Sequence, residues 1–140
     1  MYIARNNDLI VMAKETREEL EQALQFMVYT SIEETETEYK LYNGQYLTPE
    51  DAAKKERERI NKLSLTKREV FLALYKDKGI TPEQIKAMLN NQESLIELEY
   101  AVEYYRGNPI IDEIGSILGY SSEDLDYLFI NKELRNDALV

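Results

Sequence analysis

The first quarter of the chain alternates short apolar runs with polar turns. Residues 2–4 and 9–12 are mostly apolar and flank the polar segment 5–8, a pattern that predicts a β-hairpin. Thr16 is followed three residues later by Glu19, which is the spacing of a capping box and predicts the start of a helix. Apolar positions then recur at helical spacing at Leu20, Ala23, Leu24 and Met27. We therefore expect one helix to follow the first hairpin.

A second hairpin is predicted around the dipeptide Asn43-Gly44. Residues 39–42 and 45–47 have strand composition on either side of it. Asn-Gly readily adopts the two positive φ angles of a type I′ turn, whose twist matches that of the strands it joins. The Thr48-Pro49 pair, an N-cap followed by proline at the first helical position, then predicts the start of a charged connector helix.

From residue 63 onward the pattern predicts helices throughout. Caps at Thr66, Thr81 and Ser121 or Ser122, two further helix-starting prolines and the stops at Gly79, Gly107 and Gly119 divide this part into about five short helices. The predicted fold class is α+β. Residues 1–63 form a small lobe with N-terminal antiparallel β-hairpins, one helix and the connector, and residues 64–140 form a C-terminal helical array that carries most of the core.

Composition narrows the possible chemistry. The 140 residues are 44% hydrophobic, enough for a packed core, and carry a net charge of −10. There is no Cys and no His, which excludes disulfides, thiol nucleophiles and histidine acid–base catalysis. No glycine-rich phosphate loop occurs, and the acidic run 121–126 fits a helix N-terminus better than a metal loop. We expect a protein that is not an enzyme and uses no cofactor or metal.

The charge also indicates the class of partner. A negative surface disfavours direct binding of nucleic acid, which requires a cationic face. No stretch is long and apolar enough for a membrane helix, and the N-terminus lacks the pattern of a signal peptide. The absence of Cys agrees with a reducing cytoplasm. We therefore expect a protein partner in the cytoplasm, and the sequence leaves the oligomeric state open.

The first candidate binding surface lies in the acidic segment 32–39. If this segment is extended, Glu34, Glu36 and Glu38 point to one face at a spacing of about 6.7 Å. Such a row of carboxylates has a pitch of the order found along a nucleic-acid backbone. The alternative is an edge strand whose charges prevent aggregation.

The second candidate surface lies on a helix expected from about Glu93 to Tyr105. Helical spacing places Leu95, Leu98, Val102 and Tyr105 on its core face. The predicted partner-binding residues on the opposite face are Glu93, Glu97, Tyr100 and Tyr104. Carboxylates beside tyrosines suit the Arg and Lys side chains of a partner. From 93 to 126 nine acidic residues occur with a single basic one, Arg106.

Three segments resemble small proteins encoded by phages and prophages of Gram-positive bacteria. They are residues 65–75 (LTKREVFLALY), 104–112 (YYRGNPIID) and 114–120 (IGSILGY), and the resemblance spans roughly residues 33–135. It does not include a catalytic motif and assigns no role to any residue. The resemblance implies a phage or mobile-element origin. Genes of this kind often encode tail-region accessory proteins, or small acidic inhibitors of host defence such as anti-CRISPR proteins, several of which mimic nucleic acid.

Charge and resemblance together favour one function. The expected activity is inhibition of a host CRISPR nuclease of the Cas9 type in the bacterial cytoplasm, by occupation of a basic nucleic-acid groove. The alternative is a phage tail-assembly or tail-accessory protein. In either case the partner is a protein, with no direct contact to nucleic acid or membrane.

Overall fold

Residues 1–135 are described by a computed structural model, and helices and strands in it belong to the α+β class, as predicted. The strands are β1 (Tyr2–Asn6), β2 (Leu9–Lys14), β3 (Ser31–Glu34), β4 (Lys40–Tyr42), β5 (Gln45–Leu47), β6 (Ser64–Thr66) and β7 (Glu103–Tyr105). The helices are α1 (Arg17–Ala23), α2 (Pro49–Asn61), α3 (Lys67–Lys78), α4 (Pro82–Met88), α5 (Gln92–Tyr100), α6 (Pro109–Leu118) and α7 (Ser122–Asn131). None of the helices in this described part is long and apolar enough to cross a membrane.

The chain divides into two units between Glu56 and Arg57. This division falls inside α2, whereas the sequence places it after that helix, between residues 63 and 64. The sequence does not mark a boundary inside this helix, because charged residues occur on both sides of Glu56 and no Gly or Pro follows the start of the helix. Each unit has a core of its own.

In the first unit, an antiparallel sheet of order β2-β1-β3 packs on α1. The β1–β2 hairpin is confirmed, as is the cap at Thr16, whose hydroxyl accepts a hydrogen bond from the Glu19 backbone N–H. Ala4 of β1 packs with Leu20 and Leu24 in a small buried cluster. The sequence-based expectation that helical spacing continues to Met27 is wrong, because α1 ends at Ala23.

The second hairpin, β4–β5, is also confirmed. Asn43 and Gly44 have φ angles of 46° and 82°, both in the left-handed region that a type I′ turn requires. The Tyr42 hydroxyl donates a hydrogen bond to the carboxylate of Glu56 on α2. The helix that follows begins at Pro49, as the Thr48-Pro49 signal predicts.

Among the described residues of the second unit, the five helices α3–α7 surround the larger core, as predicted. Its buried side chains include Val70, Leu74, Ile85, Leu98, Ile114, Leu118, Leu125, Leu128 and Phe129. Gly79 and Gly119 end α3 and α6 in the left-handed conformation.

The expectation of an entirely helical second unit is wrong. β6 pairs antiparallel with β7, and Leu65 lies opposite Tyr104 in this ladder. The pairing continues past β7, where the Arg106 backbone N–H donates to the Leu63 carbonyl oxygen at 2.8 Å. The helix expected from Glu93 to Tyr105 therefore ends at Tyr100, and the chain returns as a strand.

Candidate protein-binding surfaces

The acidic segment around β3 is only partly extended. Glu34 is the last residue of β3, and the chain bends at Glu36, so Glu34, Glu36 and Glu38 do not form a row along one strand. Just after the strand, the Thr37 backbone N–H donates a hydrogen bond to the Thr35 hydroxyl at 3.1 Å, which stabilises the bend. All three glutamates are exposed. Their carboxylates make no ion pair or hydrogen bond with any described residue.

The surface of α5 agrees better with the sequence. Glu93, Glu97 and Tyr100 are exposed and occupy one face, opposite the buried Leu98, and we call these three residues the α5 acidic surface. The Glu97 carboxylate accepts a hydrogen bond from the Asn108 side-chain amide at 2.9 Å. Glu93 has no charged partner among residues 1–135. The surface thus carries two carboxylates that no neighbouring cation neutralises.

Tyr104 does not belong to this surface, and its predicted exposure is wrong. It lies on β7, fully buried, and its hydroxyl donates a hydrogen bond to the Leu98 carbonyl oxygen. Its ring meets that of Phe71 edge to face, with centroids 6.2 Å apart. Burial, and secondarily the charge of Glu97, raises the pKa of Tyr104 to about 12. This tyrosine is a core residue that fixes the end of α5.

The predicted core positions that follow α5 are wrong in the same way. Val102 is 91% exposed and Tyr105 is half exposed, because the chain leaves the helix before either residue. Leu98, which precedes the break, is 1% exposed, as expected. The change from helix to strand exchanges the inward and outward positions after Tyr100, since strand side chains alternate with a period of two.

An ionic cluster around the buried Arg106 was not predicted. Arg106 is 3% exposed, and its Nε donates to Asp126 Oδ1 at 2.7 Å. Its Nη1 donates to Asp112 Oδ1 at 2.9 Å, and its Nη2 donates to the Ser122 hydroxyl at 3.0 Å. Arg57 contacts both oxygens of Asp126, each at 2.8 Å. We call these five residues the Arg106 cluster.

The Arg106 cluster connects the end of β7 to α6 and α7. Hydrogen bonds from Arg57, and secondarily from Arg106, hold the pKa of Asp126 below its ordinary value. This carboxylate therefore stays charged and bonded to both arginines. Asp124, the neighbouring acid, caps α7 together with Ser121, which confirms the helix N-terminus expected for 121–126. Within residues 1–135 no group of three or more acidic side chains is placed to hold a metal ion.

An exposed apolar segment was also missed. Between α1 and β3, Phe26 is 93% exposed and Val28 is 76% exposed, and Met27 and Tyr29 are each about two-fifths exposed. We call these four residues the 26–29 segment. The available signal was the run itself, four consecutive large apolar residues within the uncharged stretch 22–32. Helical spacing had assigned Met27 to the core instead.

The functional assignment rests on the surfaces described above, because comparison with known proteins found no match. No protein-family model, no curated protein and no solved structure matches the chain.

Proposed function

We propose that the protein is a non-enzymatic inhibitor of phage origin that binds a basic nucleic-acid groove of a host CRISPR nuclease of the Cas9 type. It acts in the host bacterial cytoplasm and presents acidic side chains where the nuclease binds nucleic acid. The observation that carries the proposal is a set of exposed carboxylates without an internal cation. Within the two predicted surfaces, these are Glu34, Glu36 and Glu38 in the first unit and Glu93 in the second.

Unpaired carboxylates favour association with a basic groove for two reasons. A carboxylate that is already in an ion pair must give up that partner before it binds another, whereas Glu93 and Glu34 have no such pair to break. The net charge of −10 also steers the protein toward a cationic surface and raises the association rate, an effect that salt weakens. Tyr100, 74% exposed beside Glu93 and Glu97, adds an aromatic face for arginine side chains.

The test uses the purified Cas9-type nuclease of the host, with and without guide RNA. Two variants reverse charges in the proposed contacts, Glu93→Lys/Glu97→Lys and Glu34→Lys/Glu36→Lys. A matched control, Glu18→Lys/Glu83→Lys, makes the same change in net charge at exposed glutamates elsewhere. Binding rates and DNA cleavage are measured at low and high salt, beside thermal melts.

We expect at least one contact variant to weaken binding by about tenfold at low salt, and the control to change it by less than about twofold. The loss should include a slower association rate and should shrink as salt rises. Equal binding by all four proteins, independent of salt, would contradict the proposal. So would equal losses in the contact variants and the control, since the effect would then reflect net charge alone.

The second candidate is a phage tail-assembly or tail-accessory protein. The exposed 26–29 segment favours it, because subunits that assemble bury such apolar side chains in their contacts. The neighbouring genes separate the two functions. Tape-measure and baseplate genes beside this one indicate tail assembly, and an adjacent helix-turn-helix regulator indicates the inhibitor.

A further inference from the structure

The 26–29 segment displays apolar side chains on a backbone that is fixed at both ends. At its start, the Met27 backbone N–H donates to the carbonyl oxygen of the buried Leu24 at 2.9 Å. At its end, the Thr30 backbone N–H donates to the Arg5 carbonyl oxygen at 2.6 Å. The Thr30 hydroxyl also accepts a hydrogen bond from the Asn7 N–H at 2.8 Å. The segment is therefore a short, tethered loop whose apolar side chains lie outside the core of its unit.

Charge surrounds this loop on both sides along the chain. Residues 15–38 contain eight acidic side chains and one basic one, Arg17, and the stretch 22–32 between them is uncharged. Arg17 is itself paired with Glu21 at 3.1 Å. On the other side, Glu34 and Glu36 are exposed and without a charged partner in the described chain. Glu33, in contrast, is paired with Arg5 at 2.8 Å. An apolar segment bordered along the chain by unpaired carboxylates is complementary to an apolar pocket bordered by lysine and arginine.

The same features disfavour the other occupants of an apolar loop. Two copies meeting at this segment would bring their acidic flanks together, and like charges at an interface oppose association. An anionic membrane surface would repel the flanking carboxylates.

We propose that the 26–29 segment is an anchor that inserts into an apolar pocket of a protein partner, with Phe26 and Val28 in the pocket and Glu34 and Glu36 against its basic border. This inference goes beyond the proposed function, since it holds for any partner with that pocket and does not involve the α5 acidic surface. Central apolar anchors with a charged border are the arrangement in which a few residues dominate binding.

The first test uses the protein alone. Sedimentation velocity over a wide concentration range should give a monomer for the wild type. Flotation with neutral phosphatidylcholine vesicles and with vesicles containing anionic lipid should leave the protein unbound. Self-association or vesicle binding that Phe26→Ser/Val28→Ser abolishes would overturn the proposal, in favour of a second copy or a lipid surface respectively.

The second test compares captured proteins quantitatively, in lysate of the bacterium that carries the gene. The baits are the wild type, Phe26→Ser/Val28→Ser, Glu34→Lys/Glu36→Lys, and the matched control Val102→Ser, which changes an equally exposed apolar residue of the second unit. Melting curves check that each bait is folded. Proteins whose recovery differs between baits are purified, and their dissociation constants for all four baits are measured.

We expect one basic protein to bind the wild type and Val102→Ser alike, and to bind Phe26→Ser/Val28→Ser at least tenfold more weakly. Glu34→Lys/Glu36→Lys should weaken the same complex, more so at low salt. If no protein distinguishes the Phe26→Ser/Val28→Ser bait from the control, the proposal is wrong. A nuclease that binds independently of Phe26 would likewise reject this anchor while leaving the proposed function intact.

Discussion

Arg106 and Asp126, twenty residues apart in the chain, are joined by a hydrogen bond of 2.7 Å between Nε and Oδ1. Arg106 follows β7 directly, and Asp126 lies in α7. The pair therefore joins the end of β7, the strand that contains Tyr104, to the last described helix. The guanidinium is almost fully buried, and its Nε and both terminal nitrogens find acceptors in the cluster. The stability of the second unit therefore depends on these acceptors, because without them the buried guanidinium would be left unpaired.

Removal of the central carboxylate should be costly. Asp126→Asn deprives both Arg106 and Arg57 of their shared anion and leaves a buried guanidinium poorly compensated. We expect the free energy of unfolding to fall by about 3 kcal/mol at neutral pH, measured by urea denaturation. Asp112→Asn is the matched control, because Asp112 is 61% exposed and its pair should contribute less than about 1 kcal/mol. Equal effects of the two substitutions would contradict the assigned importance of Asp126.

The same carboxylate should make stability depend on acidity. The folded-state pKa of Asp126 is lowered, chiefly by the hydrogen bonds from Arg57, so its contribution is complete above the unfolded-state value of about 4. That contribution is lost as the pH falls below about 4 and through the lower folded-state pKa. In urea titrations at several pH values, the difference between wild type and Asp126→Asn should shrink on acidification. A difference that stays constant from neutral to strongly acidic pH would count against this ion pair.

Leu98 and Val102 test where α5 ends. Helical spacing puts them on the same face, yet Leu98 is buried and Val102 is exposed. Leu98→Ala should lower the free energy of unfolding by about 2–5 kcal/mol, because it leaves a cavity in the core. Val102→Ala should change it by less than about 0.5 kcal/mol. Comparable losses at both positions would mean that the helix continues past Tyr100.

Tyr104 should be the hydrogen-bond donor that closes the helix end. Tyr104→Phe keeps the ring but leaves the Leu98 carbonyl oxygen without this partner, and should cost about 1 kcal/mol of unfolding free energy. Because the folded-state pKa of Tyr104 is raised to about 12, its contribution is complete below about pH 10 and declines as the pH rises toward 12. The difference between the phenolate absorbance titrations of wild type and Tyr104→Phe isolates this group. A component that ionises near pH 10 would show that Tyr104 is solvated.

Local rules account for the elements that the sequence predicted correctly. The Asn43-Gly44 turn and the caps at Thr16, Thr66 and Thr81 each depend on residues within three positions of one another. The buried Leu98 and the exposed Glu93, Glu97 and Tyr100 likewise lie within one continuous helix. Patterns of this range can be read without knowledge of the tertiary fold.

The features that were missed depend on partners far along the chain. β7 forms because Tyr104 pairs with Leu65, and neither Gly nor Pro marks the break at Ala101. A short apolar run fits helical and strand spacing equally well until its partner is known. Arg106 left one trace, as the only base among nine acids between 93 and 126. That imbalance indicates only an acidic surface, and nothing in it identifies Asp126 as the partner of Arg106.

The β6–β7 ladder has a consequence for the order of folding. It joins residues 64–66 to 103–105 across the loop 67–102, which contains three helices, so its formation carries the entropy cost of closing a long loop. The intervening helices form from local contacts, and the ladder should form late, as a single closing step. Tyr104 lies in β7 and Arg106 follows it, so both side chains become buried when this ladder forms. The hydrophobic core and the Arg106 cluster are therefore completed in the same step. The amide of Arg106, bonded to Leu63, should then exchange its hydrogen only through global unfolding of the second unit.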